Sequence, residues 1–289
     1  MNNAETHRMP LWKWILALVA GFVFYDFYYV VYGICIDGLP DNIVVKPLMT
    51  LFGCALVLCL YWRLSVLVEK RVSSDLRMHR LLPDVGKGLL LGLAFFVLFT
   101  LILWALGCYR ISSVGIDWPA LFLALVDFLF VAVCEEVIFR GTVYRLIENQ
   151  WGSLFALTVS CLMFGFAHLW NDNASVWSSV AIALAATESA LYFYSKSLWL
   201  PIGLHWGWNF VQGNVFGFPV SGMGFETTVI TPGISGPDLI TGGGFGPEAS
   251  VFMVTISAVV SGWLIYRGIK KGKYVPVPRK NVLPAGASD

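Results

Sequence analysis

The chain has 289 residues, 57% of them hydrophobic and 13% charged, with a formal net charge of +1 and a mean hydropathy of +0.73. No soluble core of this size needs that much apolar surface, so the composition excludes an ordinary soluble domain. The near-balanced charge argues against a nucleic-acid partner, which requires a basic surplus gathered on one face.

Apolar stretches long enough to cross a hydrocarbon layer about 30 Å thick run approximately over Trp14–Tyr32, Leu48–Val68, Gly88–Leu106, Trp118–Ile138, Ser153–Trp170, Val176–Tyr194, Leu198–Phe216 and Ala249–Tyr266. The expected fold is therefore all-α: a polytopic transmembrane bundle of about eight spans, forming a single integral membrane domain over residues 1–289. The first run is longer than a signal-peptide core and no small-residue cleavage site follows it, so it reads as a retained helix. Positively charged loops stay cytoplasmic. With the N-terminus inside, every Lys and Arg except Lys46 and Arg110 falls on the inner side, which predicts both termini cytoplasmic and a basic tail at 267–289.

The outer loop, residues 217–248, has no Lys or Arg and is rich in Gly, Pro and Thr. A lid, a re-entrant segment and a plain connection are all open readings of it. The six cysteines lack CxxC spacing and lie mostly in apolar runs, where they read as small buried hydrophobes. Cys35 and Cys108 fall near the outer face, where a bridge between them is possible. No inverted repeat of the transporter kind is visible.

Ionisable groups inside lipid-spanning helices cost several kcal/mol, so each is a functional candidate. The fourth span ends Cys134-Glu135-Glu136-Val137-Ile138-Phe139-Arg140-Gly141. Glu136 and Arg140 are four apart, on one face, and can form a structural ion pair. Glu135 points about 100° away around the helix, which leaves it free to act as a general base. The fifth span ends Phe164-Gly165-Phe166-Ala167-His168. An antiparallel hairpin turning near Trp151 brings His168 level with Glu135. The seventh span opens Pro201-Ile202-Gly203-Leu204-His205-Trp206-Gly207-Trp208-Asn209, and His205 and Asn209 share a face. Asp26, Asp127 and Glu188 read as structural. Simple alternation of spans puts His168 near the outer end of its helix and His205 near the inner end of its own. To meet, the sixth span must tilt, or the fourth and fifth must project beyond the lipid.

These three segments resemble the motifs EExxxR, FxxxH and HxxxN of the CAAX-protease (CPBP, Abi) family of intramembrane glutamate endopeptidases, in family order, over a core of about residues 118–217. The resemblance implies peptide-bond hydrolysis in which Glu135 and His168 activate a water while His205 and Asn209 steady the oxyanion. It implies no cofactor. The alternative is a zinc peptidase with Glu135, His168 and His205 as ligands and water at the open position, although no HExxH pair is present. A non-catalytic membrane scaffold or immunity protein of the same fold is a further alternative, and a proton-relaying transporter another. Expected partners are membrane lipids and a hydrophobic or lipidated peptide or protein, either a prenylated CAAX-type chain or a bacteriocin-like peptide. The expected location is a bacterial plasma (inner) membrane.

Overall fold

The computed structural model describes residues 10–40, 42–67, 74–225 and 227–277. The basic tail is thus described only to residue 277, and Arg8, Lys70, Arg71, Arg279 and Lys280 lie outside the described residues. The chain runs through α1 (Leu11–Asp37), α2 (Val45–Leu67), α3 (Leu81–Ala105), β1 (Tyr109–Val114), α4 (Trp118–Glu136), α5 (Arg145–Trp151), α6 (Ser153–Ala167), α7 (Val176–Ala185) and α8 (Thr187–Ser195). It continues through α9 (Trp199–Phe210), β2 (Ile230–Ile234), α10 (Asp238–Thr241) and α11 (Val251–Lys270). Two π-helical segments interrupt this order, Val137–Tyr144 between α4 and α5 and Val211–Val215 after α9.

Among the described residues six helical stretches are long and apolar enough to cross a membrane: Leu11–Asp37, Val45–Leu67, Met78–Ala105, Ser153–Trp170, Val176–Ser195 and Val251–Lys270. The other two expected spans correspond to α4 and α9. The first carries Asp127, Glu135 and Glu136 and the second has only 12 residues. Both carry buried polar groups into the bundle, Glu136 on α4 and His205 and Asn209 on α9. The outward surface is apolar instead, with Trp12, Phe27, Phe52, Leu90 and Trp263 among its exposed side chains, as a lipid-facing surface requires.

Local chemistry sets the helix ends. Asp117 caps α4, its side chain accepting from Ala120 N at 3.1 Å, and a proline occupies the first turn. Ser175 and Ser178 form a reciprocal capping box at α7. The expected span Val176–Tyr194 is broken at Ala186, whose backbone is non-helical, so that α8 starts afresh with Glu188 in its first turn.

The helices α3 and α9 pack most intimately. Gly88 and Gly92 face the backbone of residues 200–208, while Gly203 and Gly207 face Val85 and Leu89. Each helix thus presents a GxxxG pair to the other, and missing side chains let the backbones close up.

Polar links gather the basic segments at one end of the bundle. Trp14 Nε1 donates to the Leu146 carbonyl at 2.7 Å, Arg80 to the Ser195 carbonyl at 2.8 Å, and Lys196 pairs with Glu148. Val275 N donates to Ser153 Oγ at 2.9 Å.

The opposite end departs from an all-helical reading. There β1 and β2 form an antiparallel two-stranded ribbon with a bulge between Ile111 and Ser113, and Val220 and Met223 make an isolated bridge. Both strands lie in connections between apolar spans, where no helical periodicity announces them. Residues 217–225 and 227–248 are therefore tied to the α3–α4 connection. The Cys35–Cys108 bridge is not formed, and all six cysteines are free. Cys35 is exposed on α1, whereas the Cys108 sulfur packs beside Gly236 under the ribbon.

Candidate active site

The site assembles where α4 turns π-helical. Widening a helical turn takes carbonyls out of their usual register, and here side chains meet them. The Phe139 carbonyl accepts from Ser160 Oγ at 3.0 Å, and the Gly141 carbonyl from Arg145 Nε at 2.7 Å and the Tyr61 hydroxyl at 3.2 Å. The segment is buried throughout, and the glutamates and Arg140 are held on either side of its start.

Arg140 is fully buried. Its Nη1 donates to Glu136 Oε1 at 2.8 Å, its Nη2 lies 3.6 Å from Glu188 Oε2, and its Nε donates to Ser189 Oγ at 3.2 Å. The guanidinium also sits 4.4 Å over the Phe164 ring, a cation–π contact strengthened by desolvation. Phe164 stacks edge-on with both Phe139 and His168.

Glu136 Oε1 is shared. Besides Arg140, it lies 2.9 Å from His205 Nδ1, which orients the ring so that Nε2 faces Glu135 Oε2 at 3.8 Å. Glu135 itself diverges from Glu136, as the helical geometry predicts, and its Oε2 is buried without a hydrogen-bond partner.

Glu135, His168, His205 and Asn209 all line one cavity of about 340 Å³, so the four sequence-predicted residues share a single space. His168 turns Nδ1 to the Phe164 carbonyl at 2.8 Å and makes no ion pair with Glu135 among the described residues. The two histidines meet across Phe164, whose ring centroid lies 4.8 Å from that of His168 and 6.0 Å from that of His205, while Lys196, just before α9, pairs with Glu148 on α5. From that pair α9 and the α4–α5 rod climb side by side. Among the described residues no three His, Cys, Asp or Glu side chains converge as a metal site.

Two of the three residues read as structural line the site. Glu188 lines the cavity and shares Arg140 with Glu136. Asp26 lines it from α1, together with Tyr29, which lies beside Glu135. The signal was present in the Tyr25-Asp26-Phe27-Tyr28-Tyr29 cluster, an acid amid aromatics in a lipid-crossing stretch. Asp127 stands apart, 3.5 Å from Lys46.

Residues 117–211 match the family model described as Type II CAAX prenyl endopeptidase Rce1-like. The chain carries an Rce1-like domain. No curated protein and no solved structure matches it. The Rce1-like domain opens at the capping residue of α4 and closes just past Asn209, so it spans every cavity residue named in the three sequence motifs. The family is one of proteases, and its place here is an integral membrane protein with several apolar helices.

Proposed function

We propose that this protein is an intramembrane endopeptidase that hydrolyses a peptide bond of a membrane-associated substrate with water activated by Glu135. The observation that carries the reading is the unequal treatment of two adjacent carboxylates. Glu136 Oε1 is held by Arg140 and His205, whereas Glu135 lines the cavity beside Tyr29, with His205 Nε2 3.8 Å from its Oε2 and no arginine paired to it among the described residues. A carboxylate that faces the cavity and is not tied to an arginine is placed to take a proton from water.

In the proposed reaction Glu135 accepts a proton from water, and His168, on the same wall, orients that water. The resulting hydroxide adds to the peptide carbonyl. Nε2 of His205, in the imidazolium form that also donates Nδ1–H to Glu136, and the Asn209 amide donate to the oxyanion, each worth about 3–4 kcal/mol when well placed. Glu135 then returns its proton to the leaving amine. No acyl-enzyme forms, because water itself is the nucleophile.

Apolar walls that include Phe128, Val131 and Ile182 suit a hydrophobic or lipidated peptide, whether a prenylated CAAX-type chain or a bacteriocin-like one. The basic-end distribution of Lys and Arg supports an orientation with both termini cytoplasmic; the bacterial inner-membrane location is part of the same proposal.

The test is cleavage of internally quenched hydrophobic and lipidated peptides by detergent-purified protein, in ¹⁸O-water and with a chelator arm. Cleavage indifferent to chelator, with one ¹⁸O entering the new carboxylate, is expected. Stoichiometric zinc and loss of cleavage on chelation would replace the scheme with the zinc reading, in which Glu135, His168 and His205 become ligands.

A further inference from the structure

Glu248 takes no part in the proposed reaction, yet it is buried and lines the same cavity. It lies in the short turn Pro247–Ala249 that leads into α11. Its Oε2 accepts from Gln212 Nε2 at 2.6 Å, and its Oε1 accepts from the Ser221 backbone N–H at 3.1 Å and hydroxyl at 3.2 Å. Gln212 stands in the π segment just beyond Asn209. Ser221 lies in the Val220–Met223 turn, which supplies part of the cavity wall.

One carboxylate thus joins three stretches far apart in sequence: the end of the helix that presents His205 and Asn209, the turn over the cavity, and the entry to α11. The backbone adds a link from Gly222 N to the Phe245 carbonyl at 2.7 Å. Gly246 has φ +117°, and a Cβ there would collide with the Pro219 carbonyl and crowd Glu248 Oε2, so the carboxylate is wedged in place. All its hydrogen-bond donors are neutral, and no ion pair holds it among the described residues. An uncompensated buried carboxylate is a costly brace for a loop, and this one faces the site.

We propose that Glu248 is a positioning residue. It clamps the Val220–Met223 turn to the end of α9 and so shapes the wall against which substrate lies. Its functional half rests on the peptidase reading; the clamp itself does not.

Burial pushes the Glu248 carboxyl up from 4.5 to about 7 while it is clamped. A released turn returns it to the ordinary value, so the clamped state binds the proton more tightly. Clamping therefore weakens as pH rises from about 4.5 to about 7 and is level above that. The titratable groups facing this region are Asp26, Glu135, His168, Glu188 and His205 across the cavity, Asp172 against Gly222 and Asp238 on α10. The helix α7 contributes none, and the cations of α11 lie at its far end.

The test is hydrogen exchange of residues 217–225 in the full chain in nanodiscs at pH 5.5 and 8, corrected for intrinsic rates. In wild type, protection should fall about tenfold between the two pH values. Glu248→Gln should abolish that step, and Glu248→Ala should raise exchange about tenfold at pH 5.5 while α3 changes less than about twofold. Equal protection in all three proteins at both pH values would overturn the clamp. If Glu248→Ala does not fold, Gln212→Ala must still raise exchange at least about threefold; an unchanged rate would overturn it equally. In the peptide assay, Glu248→Ala should raise KM about tenfold with kcat within about threefold. A freed turn with unchanged KM would overturn the positioning role. A wild-type protein that cleaves no peptide would sink the peptidase reading and leave the exchange data to judge the clamp.

Discussion

Arg140 lies between two carboxylates and an aromatic face, without exposure to solvent. Removing one partner of such a set leaves an uncompensated buried charge. Arg140→Met should therefore cost about 3–5 kcal/mol, measured by denaturant or SDS unfolding in mixed micelles. Arg140→Lys should recover only part of the loss, because an ammonium cannot span Glu136, Glu188 and Ser189 with the fixed fork of a guanidinium. Glu136→Gln weakens the hold on both Arg140 and His205. It should lower stability and cleavage together, whereas Glu135→Gln should spare stability. Equal unfolding midpoints for the two glutamine variants would contradict this division of labour.

At the scale of elements, backbone contact between α3 and α9 sets the place of His205, which lies within the Gly203–Gly207 pair. Gly203→Val forces a side chain against Val85. Overpacking of this kind typically costs about 1–3 kcal/mol, and here it should also push His205 away from Glu136, with a loss of cleavage larger than the stability loss alone produces. A variant that unfolds earlier but cleaves normally would show that α9 can shift without disturbing the site. Much at this scale was legible in advance. The i, i+4 spacing of Glu136 and Arg140 gave their pairing, and the hairpin register about Trp151 put His168 on the same cavity as Glu135. The α3–α9 contact was not read from the GxxxG pairs, because a small-residue stripe does not name what packs on it. The π segments and the break at Ala186 were hidden. They follow from tertiary demands on carbonyls and side chains, and the apolar residues there read equally well as unbroken helix. The ribbon escaped because its strands are short and lie between spans.

For the whole molecule, the basic links at the foot of α1, α3, α5 and α11 stand opposite the ribbon and the 217–248 segment. Single cysteines placed at Gly272 and at Gly236, in a background without native cysteines, should therefore react with an impermeant thiol reagent from opposite sides of the membrane, the first from the cytoplasm. Labelling of both from one side would overturn the topology. Opposed ends also explain why charge counting reached an orientation while saying nothing of the site, which is set by polar groups gathered between the helices. The most direct test of the central claim compares wild type with Glu135→Gln in the quenched-peptide assay, alongside unfolding of both proteins. We predict cleavage reduced by at least about 10³-fold, in line with loss of an essential base, with the unfolding midpoint unchanged. Cleavage by the folded Glu135→Gln protein at a rate near wild type would contradict the account.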